Sequence, residues 1–556
     1  VLSDNACYVT VAQGHHQKRL HHTHSSATKT AIRQSSALTQ AIRRSQQRGE
    51  DISEECLCRA REARQRAKHL RMKDNRKGWS KHLERGLRPL REGNYSKVWR
   101  WIKSMSAKKQ TSLPVVPPTR DMEGNMLQDL EDIVTATRCH YSQLATDPDS
   151  QSLQWWADHQ PMEQQPPIEA LNEDITWEEL NGVLHQLKTS KCPGMDGLPN
   201  EFLRLCRVDL TSSSPESAMG TVLLRTCNSV FSGNISDALN TSLVVSLPKP
   251  NKDFTYLSNR RGISLISCVL KLVTKIVANR FQQHAVPATE GLRKEQAGFR
   301  LREECNAQAA TLLEIAGRRG AEAKPTYVAF MDLQKAFDMV PHNGMLHILR
   351  AKGVSGKCWS FIQRLYTNGT FRVLVGPTTS DLAPLERGVR QGDSLSPLLF
   401  NYVMDSCLDN LSGVTVPGMS QRIPGLLLAD DAVILANTDT EMRDNLAAFG
   451  EWATSWHMKI GHDKCGLMVL HDQPAHSKAK DSVWRTQGSV IPVVDQYTYL
   501  GLTIDTEVST ATMAEARAVT GAKTLGHLAP FLAHSSIPVA MKKMVINGIL
   551  LPQLCY

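Results

Sequence analysis

In TYVAFMDLQKAFDMVPH (326–342), a β-prone run from Tyr327 to Leu333 is apolar except for one carboxylate, Asp332, near its C-terminal end. Such a run reads as a buried strand. An ionised carboxylate beside a buried strand is costly unless a cation compensates it. Taken alone, Asp332 also fits an ordinary strand-end acid capping the next turn. A second stretch changes the balance. PGLLLADDAVILAN (424–437) holds two apolar runs, Leu426–Leu428 and Val433–Leu435, on either side of Asp430 and Asp431. Each run has strand length, so the pattern predicts a tight hairpin in the core with the two acids at its tip. Neighbouring side chains of an extended strand point to opposite faces. Only the turn can aim both acids at one place.

If the Asp332 strand and this hairpin are neighbours, three carboxylates crowd a small volume, and their repulsion drives a proton back onto one of them. Two divalent cations ~3.5–4 Å apart would remove that repulsion and stabilise the attacking and leaving oxygens of an in-line phosphoryl displacement. Mg²⁺ prefers oxygen ligands and keeps several waters, so few protein carboxylates suffice. The acids therefore point to nucleotidyl transfer. Between them lies RGVRQGDSLSPLLFNYVMDSCLDNL (387–411). Ser396-Pro397 suggests an N-cap followed by Pro at the first helical position, with Leu398, Leu399, Tyr402, Val403 and Cys407 facing a core. Just before it comes Gln391-Gly392, where a residue without a β-carbon lets a ligand approach the backbone.

Further out, 556 residues suggest about three to four domains, and 41% hydrophobic with 22% charged residues exclude a wholly disordered or collagen-like chain. No run approaches the ~20 apolar residues of a membrane span, and no signal peptide opens the chain. Starting at Val1, the sequence reads as a fragment. Thirteen scattered Cys fit reduced intracellular thiols. The net charge of +10 is unevenly spread: residues 1–110 hold 25 Lys+Arg against 9 Asp+Glu, leaving 40 basic and 46 acidic residues for the rest. Within that end, 61–91 reads as a basic helix, with Trp79, Tyr95, Trp99 and Trp101 in or after it. Basic groups interleaved with aromatics suit a phosphate backbone and stacked bases; a solvated, partly disordered leader fits the charge as well. His15, His16, His21, His22 and His24 read as a polar tail, and Cys56 with Cys58 lacks a second pair at zinc spacing. Residues 111–120 form a Pro-rich boundary. Helices are expected over 129–144 and 175–190, a loop over 147–154, and one large α/β region up to about 505.

The segments together closely resemble a reverse transcriptase, most like those of non-LTR (LINE-type) retrotransposons, over about 185–505. The resemblance rests on KCPGMDGLPNEFLR (191–204), LVVSLPKPNKD (243–253) with NRRGISLISCVLKLVTKIVANRF (259–281), QAGFR (296–300), FMDLQKAFD, RQGDSLSPLLF, LADD, WHMKIGHDKC (456–465) and YTYLGLTID (497–505), in that order. It implies an α/β (α+β) right-hand polymerase in four parts. These are a basic N-terminal region (1–110), a linker and helical extension (111–184), fingers and palm (185–480), and a primer-grip region with the start of an incomplete thumb (481–556). It implies that Asp332, Asp430 and Asp431, with the Leu333 carbonyl, hold two Mg²⁺ (Mn²⁺ as a substitute). Lys464 would protonate the leaving pyrophosphate, and Lys249 and Arg261 would contact the incoming triphosphate. Phe337 would be the steric gate against a 2′-hydroxyl, while Gln391 and Gly392 shape the nascent base-pair pocket. Gln296, Gly298, Phe299 and Arg300 would handle template, and Tyr499, Leu500 and Gly501 would grip the primer.

The implied partners are an RNA template, a DNA primer or target, dNTPs and element-encoded RNA, with no membrane, in an intracellular, nuclear or cytoplasmic ribonucleoprotein. Alternatives of the same fold are a catalytically inactive RNA-binding remnant and a group II intron-type maturase. The chain departs from the family pattern at Leu428, where an aromatic is common, at Glu304-Cys305, and at His462 and Cys465 beside Lys464. No nuclease domain or zinc knuckle is visible.

Overall fold

A computed structural model describes residues 25–48, 53–91, 116–121, 123–250, 252–288, 291–535 and 537–555. The histidine cluster at 15–24, Tyr95, Trp99 and Trp101, and the Trp79 side chain lie outside what is described. The chain divides into two compact units, Val1–Ala12 with Leu113–Ala514, and Gln13–Ser112 with Glu515–Tyr556.

The larger unit is built on two sheets. The four-stranded sheet runs 466–470, 326–331, 431–436, 425–428, antiparallel throughout. Strand Thr326–Met331 is buried along its whole length, as the unbroken apolar run requires when both faces are covered. Period-two alternation splits it between two cores. Tyr327, Ala329 and Met331 join Ala432, Ile434 and Ala436 on one face. Val328 and Phe330 join Val433 and Leu435 on the other. Helices cover the first face, and the hairpin Gln496–Tyr499/Leu502–Asp505 packs against the second.

The second sheet has five strands. Thr241–Pro248 pairs antiparallel with Arg260–Leu265 and parallel with Thr370–Val375, which carries two short antiparallel neighbours. Helix Leu130–Ala145, capped by Asp129, packs Ile133 and Val134 against Val244, Phe371 and Val373. Its Tyr141 hydroxyl pairs with that of Ser246 at 2.9 Å. The described residues of 111–184, expected as a linker and helical extension, contribute to the cores of this unit. Helix Trp177–Gln186 starts at a capping box, Thr176 with Glu179. Arg280, buried, grips both Glu179 oxygens at 2.7 Å and takes the carbonyls of Glu173 and Asp174. This forked geometry is what offsets the desolvation of such a pair.

Two expectations shift. Ser396 is the first residue of helix Ser396–Asp405 rather than its cap. It stands 3.0 Å from the Tyr366 hydroxyl, which occupies the oxygen a cap would use. The loop predicted over 147–154 is present up to residue 152, and its last two positions begin a short helix, Leu153–His159, capped by Ser152.

The smaller unit contains helices Ser26–Gln47 and Glu54–Arg91, residues 515–532 of helix Thr510–Leu532, and helix Val539–Val545. Leu528, Ile537, Met541 and Val545 form its own apolar cluster. Among the described residues no helix is long and apolar enough to cross a membrane, and the cysteines are free.

Candidate active site

Register alone brings the acids together. Ala432 pairs with Met331, so Asp332 leaves its strand beside the start of strand Asp431–Ala436. Asp332 continues the face of Val328 and Phe330, and Asp431 that of Val433 and Leu435, so alternation puts both on one side of the sheet. Asp431 pairs with Leu428, which leaves Ala429-Asp430 as a two-residue turn. Ala429 has φ +59° while Asp430 does not have positive φ, the pattern of a II′-type hairpin in which Gly is the usual first residue. The tip is therefore Ala-Asp, with Asp431 already in the strand. The turn is what re-aims Asp430.

Both hairpin acids reach solvent, yet the surrounding protein shields them enough to raise both carboxyls. Burial is the main cause for Asp430, followed by repulsion from Asp332, with Arg261 and Lys464 opposing. Asp431 rises to about 6, from burial, then Asp430 and Asp332. The three acids feel one another, and the chemistry of the donor set suits a hard, oxygen-seeking cation. The described residues hold no cluster of three His, Cys, Asp or Glu already set as ligands. One reason is visible: Lys464 donates to both oxygens of Asp332, at 2.9 and 2.8 Å. A divalent ion would have to displace that ammonium.

Asp332 is tightly framed. Its carbonyl accepts the Gly461 N–H at 2.8 Å, and a β-carbon on Gly461 would collide with its Oδ2. Its N–H meets the Cys465 sulfur at 3.4 Å. His462 donates from Nε2 to the Thr486 carbonyl at 3.0 Å. Both departures from the family pattern beside Lys464 thus have structural work. Leu333 is buried and bridges to Ile460.

Of the other expected residues, Arg261 is near enough to oppose the rise at Asp430. Lys249 follows strand Thr241–Pro248, where Leu247 faces Arg261 across the hairpin. The Lys249 ammonium is disfavoured by burial, then by Lys335, Lys252 and Arg261, a crowd of cations that an anion would relieve. Phe337 is half-buried, stacked on Phe400 at 4.2 Å and edge-on to Phe299 at 6.3 Å. Gln391 donates from Nε2 to Asp338 at 3.2 Å. Its loop is fastened to the segment that carries Phe337, since the Val389 N–H meets the Phe337 carbonyl and the Gly388 N–H that of Val340, both at 2.8 Å.

Four placements correct the sequence reading. Gly392 (φ +121°) is required by the neighbouring strand, because a β-carbon would stand 2.8 Å from the Ser264 carbonyl. Gln296 is wholly buried, so its side chain cannot touch a template; it bonds the turn beside the acids instead. Gly298 is buried too, and a β-carbon there would collide with the Ala429 nitrogen. Tyr499 is buried against Phe330 at 5.7 Å, leaving Leu500 and Gly501, both with positive φ, as the turn of that hairpin. Arg300 spends Nη1 on the carbonyls of Arg293 and Gln296, while Phe299 is exposed. Sequence reasoning missed Asp338, Phe400, Asn401 and Tyr497. The last stacks on Phe330 at 4.1 Å and donates to the Lys464 carbonyl at 2.9 Å.

Residues 247–504 match the family described as reverse transcriptase (RNA-dependent DNA polymerase). The chain is 26% identical over 341 residues to the RNA-directed DNA polymerase from mobile element jockey of Drosophila funebris, covering 60% of this chain and 35% of that protein. It is 30% identical over 249 residues to the Pol polyprotein from type-1 retrotransposable element R2 of Nasonia vitripennis, covering 44% and 24% respectively. The chain thus spans about a third or less of the length of these curated relatives. Among solved structures, telomerase from Candida tropicalis aligns with a TM-score of 0.36 at 13% identity, over 56% of this chain and 53% of that one, too loose a likeness to weigh. Residues 247–504 of this chain thus match a reverse transcriptase domain and are similar to part of the jockey and R2 proteins.

Proposed function

We propose that this chain extends a DNA primer on an RNA template. The primer 3′-hydroxyl attacks the α-phosphate of a dNTP and pyrophosphate leaves. The observation that supports this most directly is the meeting of Asp332, Asp430 and Asp431 at one end of the buried sheet. These carboxylates, with the Leu333 carbonyl, would hold two Mg²⁺, or Mn²⁺ in their place, which when bound would stabilise the attacking and leaving oxygens. Lys249 and Arg261 take the triphosphate, Arg261 by forked contacts. Phe337, held by Phe400, serves as the gate against a 2′-hydroxyl, and Gln391, held by Asp338, shapes the nascent base-pair pocket. Phe299 and the Leu500-Gly501 turn face template and primer. Lys464, which holds Asp332 in the free chain, would give its proton to the leaving pyrophosphate. Positioning and electrostatics carry the rate. The same fold scaffolds an intracellular ribonucleoprotein with the element's own RNA.

Primer extension on an RNA template with Mg²⁺ is the test. Asp430→Asn should abolish it, by at least about a thousandfold, as expected for loss of a group that acts in the transition state. Full activity in that variant would reject the metal role. Template binding without extension by the unaltered chain would favour a non-catalytic RNA-binding protein. Sugar choice gives an independent check. Phe337→Ala should raise ribonucleotide incorporation by roughly ten- to a hundredfold, the usual worth of shape exclusion, and unchanged discrimination would remove the gate.

A further inference from the structure

Segment 295–298 runs as an extra parallel partner along edge strand Gly425–Leu428. The Ala297 N–H meets the Leu427 carbonyl and the Leu427 N–H meets that of Glu295, both at 2.9 Å. Gln308 ties the two together from Nε2, at 2.7 Å to the Glu295 carbonyl and 3.1 Å to that of Leu427. From this seam the wholly buried Gln296 reaches forward. Its Oε1 accepts the Gly298 N–H at 2.9 Å and the Ala429 N–H at 3.2 Å. Two backbone donors can be met only by the oxygen, so the amide orientation is fixed. Buried Asn401 completes the frame by donating to the Gly298 carbonyl.

Ala429 most needs such a partner. The hairpin ladder closes at Leu428 and Asp431, so the Ala429 N–H is outside it, and a left-handed φ is unfavourable for any residue with a β-carbon. We propose that Gln296 is a positioning residue for the carboxylate tip: by accepting the Ala429 N–H it holds the left-handed turn that aims Asp430 beside the strand-borne Asp431. Gln296 touches no substrate. It sets the direction of groups that do, and this role rests on the nucleotidyl-transfer reading above.

The test uses the full chain carrying Gln296→Met, which fills the same volume without an acceptor. The Ala429 amide should exchange with solvent faster while amides of strand Thr326–Met331 stay protected. Mn²⁺ binding measured without substrates should weaken. The turnover number should fall on the order of a hundredfold, as for a small misplacement of reacting groups, with the KM for dNTP unchanged. Ala429→Gly added to Gln296→Met should recover most of the loss, because glycine adopts the left-handed conformation unaided. An Ala429 amide, Mn²⁺ affinity and turnover all unchanged would overturn the proposal. So would loss of protection throughout the sheet, which would make Gln296 a general stabilising residue. If the unaltered chain extends no primer, the polymerase reading falls, while the exchange and Mn²⁺ measurements still decide the role of Gln296.

Discussion

Lys464 and Asp332 make the tightest contact at the site, and its energetics decide how it behaves. The lysine side chain is 65% exposed and that of the aspartate 23%, so the pair gains little from low dielectric and is worth at most about 1 kcal/mol. A divalent ion held by the three carboxylates would have only that much to overcome. On the proposed function the ammonium would act as a placeholder that holds the Asp332 side chain in its orientation. Lys464→Met should tighten Mn²⁺ binding in the absence of substrates by up to about fivefold, the equivalent of that energy, while slowing extension. Calorimetry for affinity and single-turnover kinetics for rate separate the two effects. Weaker Mn²⁺ binding in the variant would show that Lys464 assists the ions.

At the scale of elements, what is readable and what is not divides by the range of the interactions. Strand Thr326–Met331 and the hairpin around 429–430 are legible because both faces are buried, so every position between Tyr327 and Met331 is apolar. Helix Trp177–Gln186 is legible from its local cap. Gln296 misleads because a glutamine in a short polar segment looks like surface, and its burial depends on an edge strand about 130 positions later. Gly392 misleads for a similar reason: the backbone it accommodates belongs to Arg260–Leu265. His342 is another long-range element, donating at 2.8 Å to the Gly388 carbonyl and so pinning helix His342–Ala351 to the loop that carries Gln391. Burial, with Arg390 adding to it, pushes its imidazole down to about 4 from 6.5. A base depressed in the folded state contributes stability that is present above 6.5 and is lost as pH falls toward 4. His342→Gln keeps a donor and removes the titration. Its unfolding free energy, measured in urea from pH 6.5 to 4.5, should fall less steeply than that of the unaltered chain, by up to one proton or about 1.4 kcal/mol per pH unit. Identical slopes would mean that His342 is protonated without cost.

For the molecule as a whole, charge is segregated from chemistry: the acids lie in the larger unit, and the excess of Lys and Arg lies in residues 1–110. In the smaller unit, helices Ser26–Gln47 and Glu54–Arg91 pack together, with Ala31 and Ala67 buried and the Thr28 hydroxyl donating to Asp74 at 2.7 Å. Burial on that side leaves Arg61, Arg64, Lys68 and Arg71 exposed, at spacings of three and four that align them in one stripe. A row of cations along a rigid helix neutralises successive phosphates and releases counterions, so its contribution is read in salt dependence more than in affinity at any one ionic strength. Any RNA held along this stripe would therefore show itself in the salt slope. Replacing the four residues by Gln should make the plot of log affinity against log salt shallower by roughly 0.7 for each single-strand phosphate that is no longer neutralised. Extension of a pre-annealed primer in low salt should be little changed, because the carboxylate tip is untouched. An unaltered salt slope would show that the stripe faces only water and that the template is held by the larger unit alone.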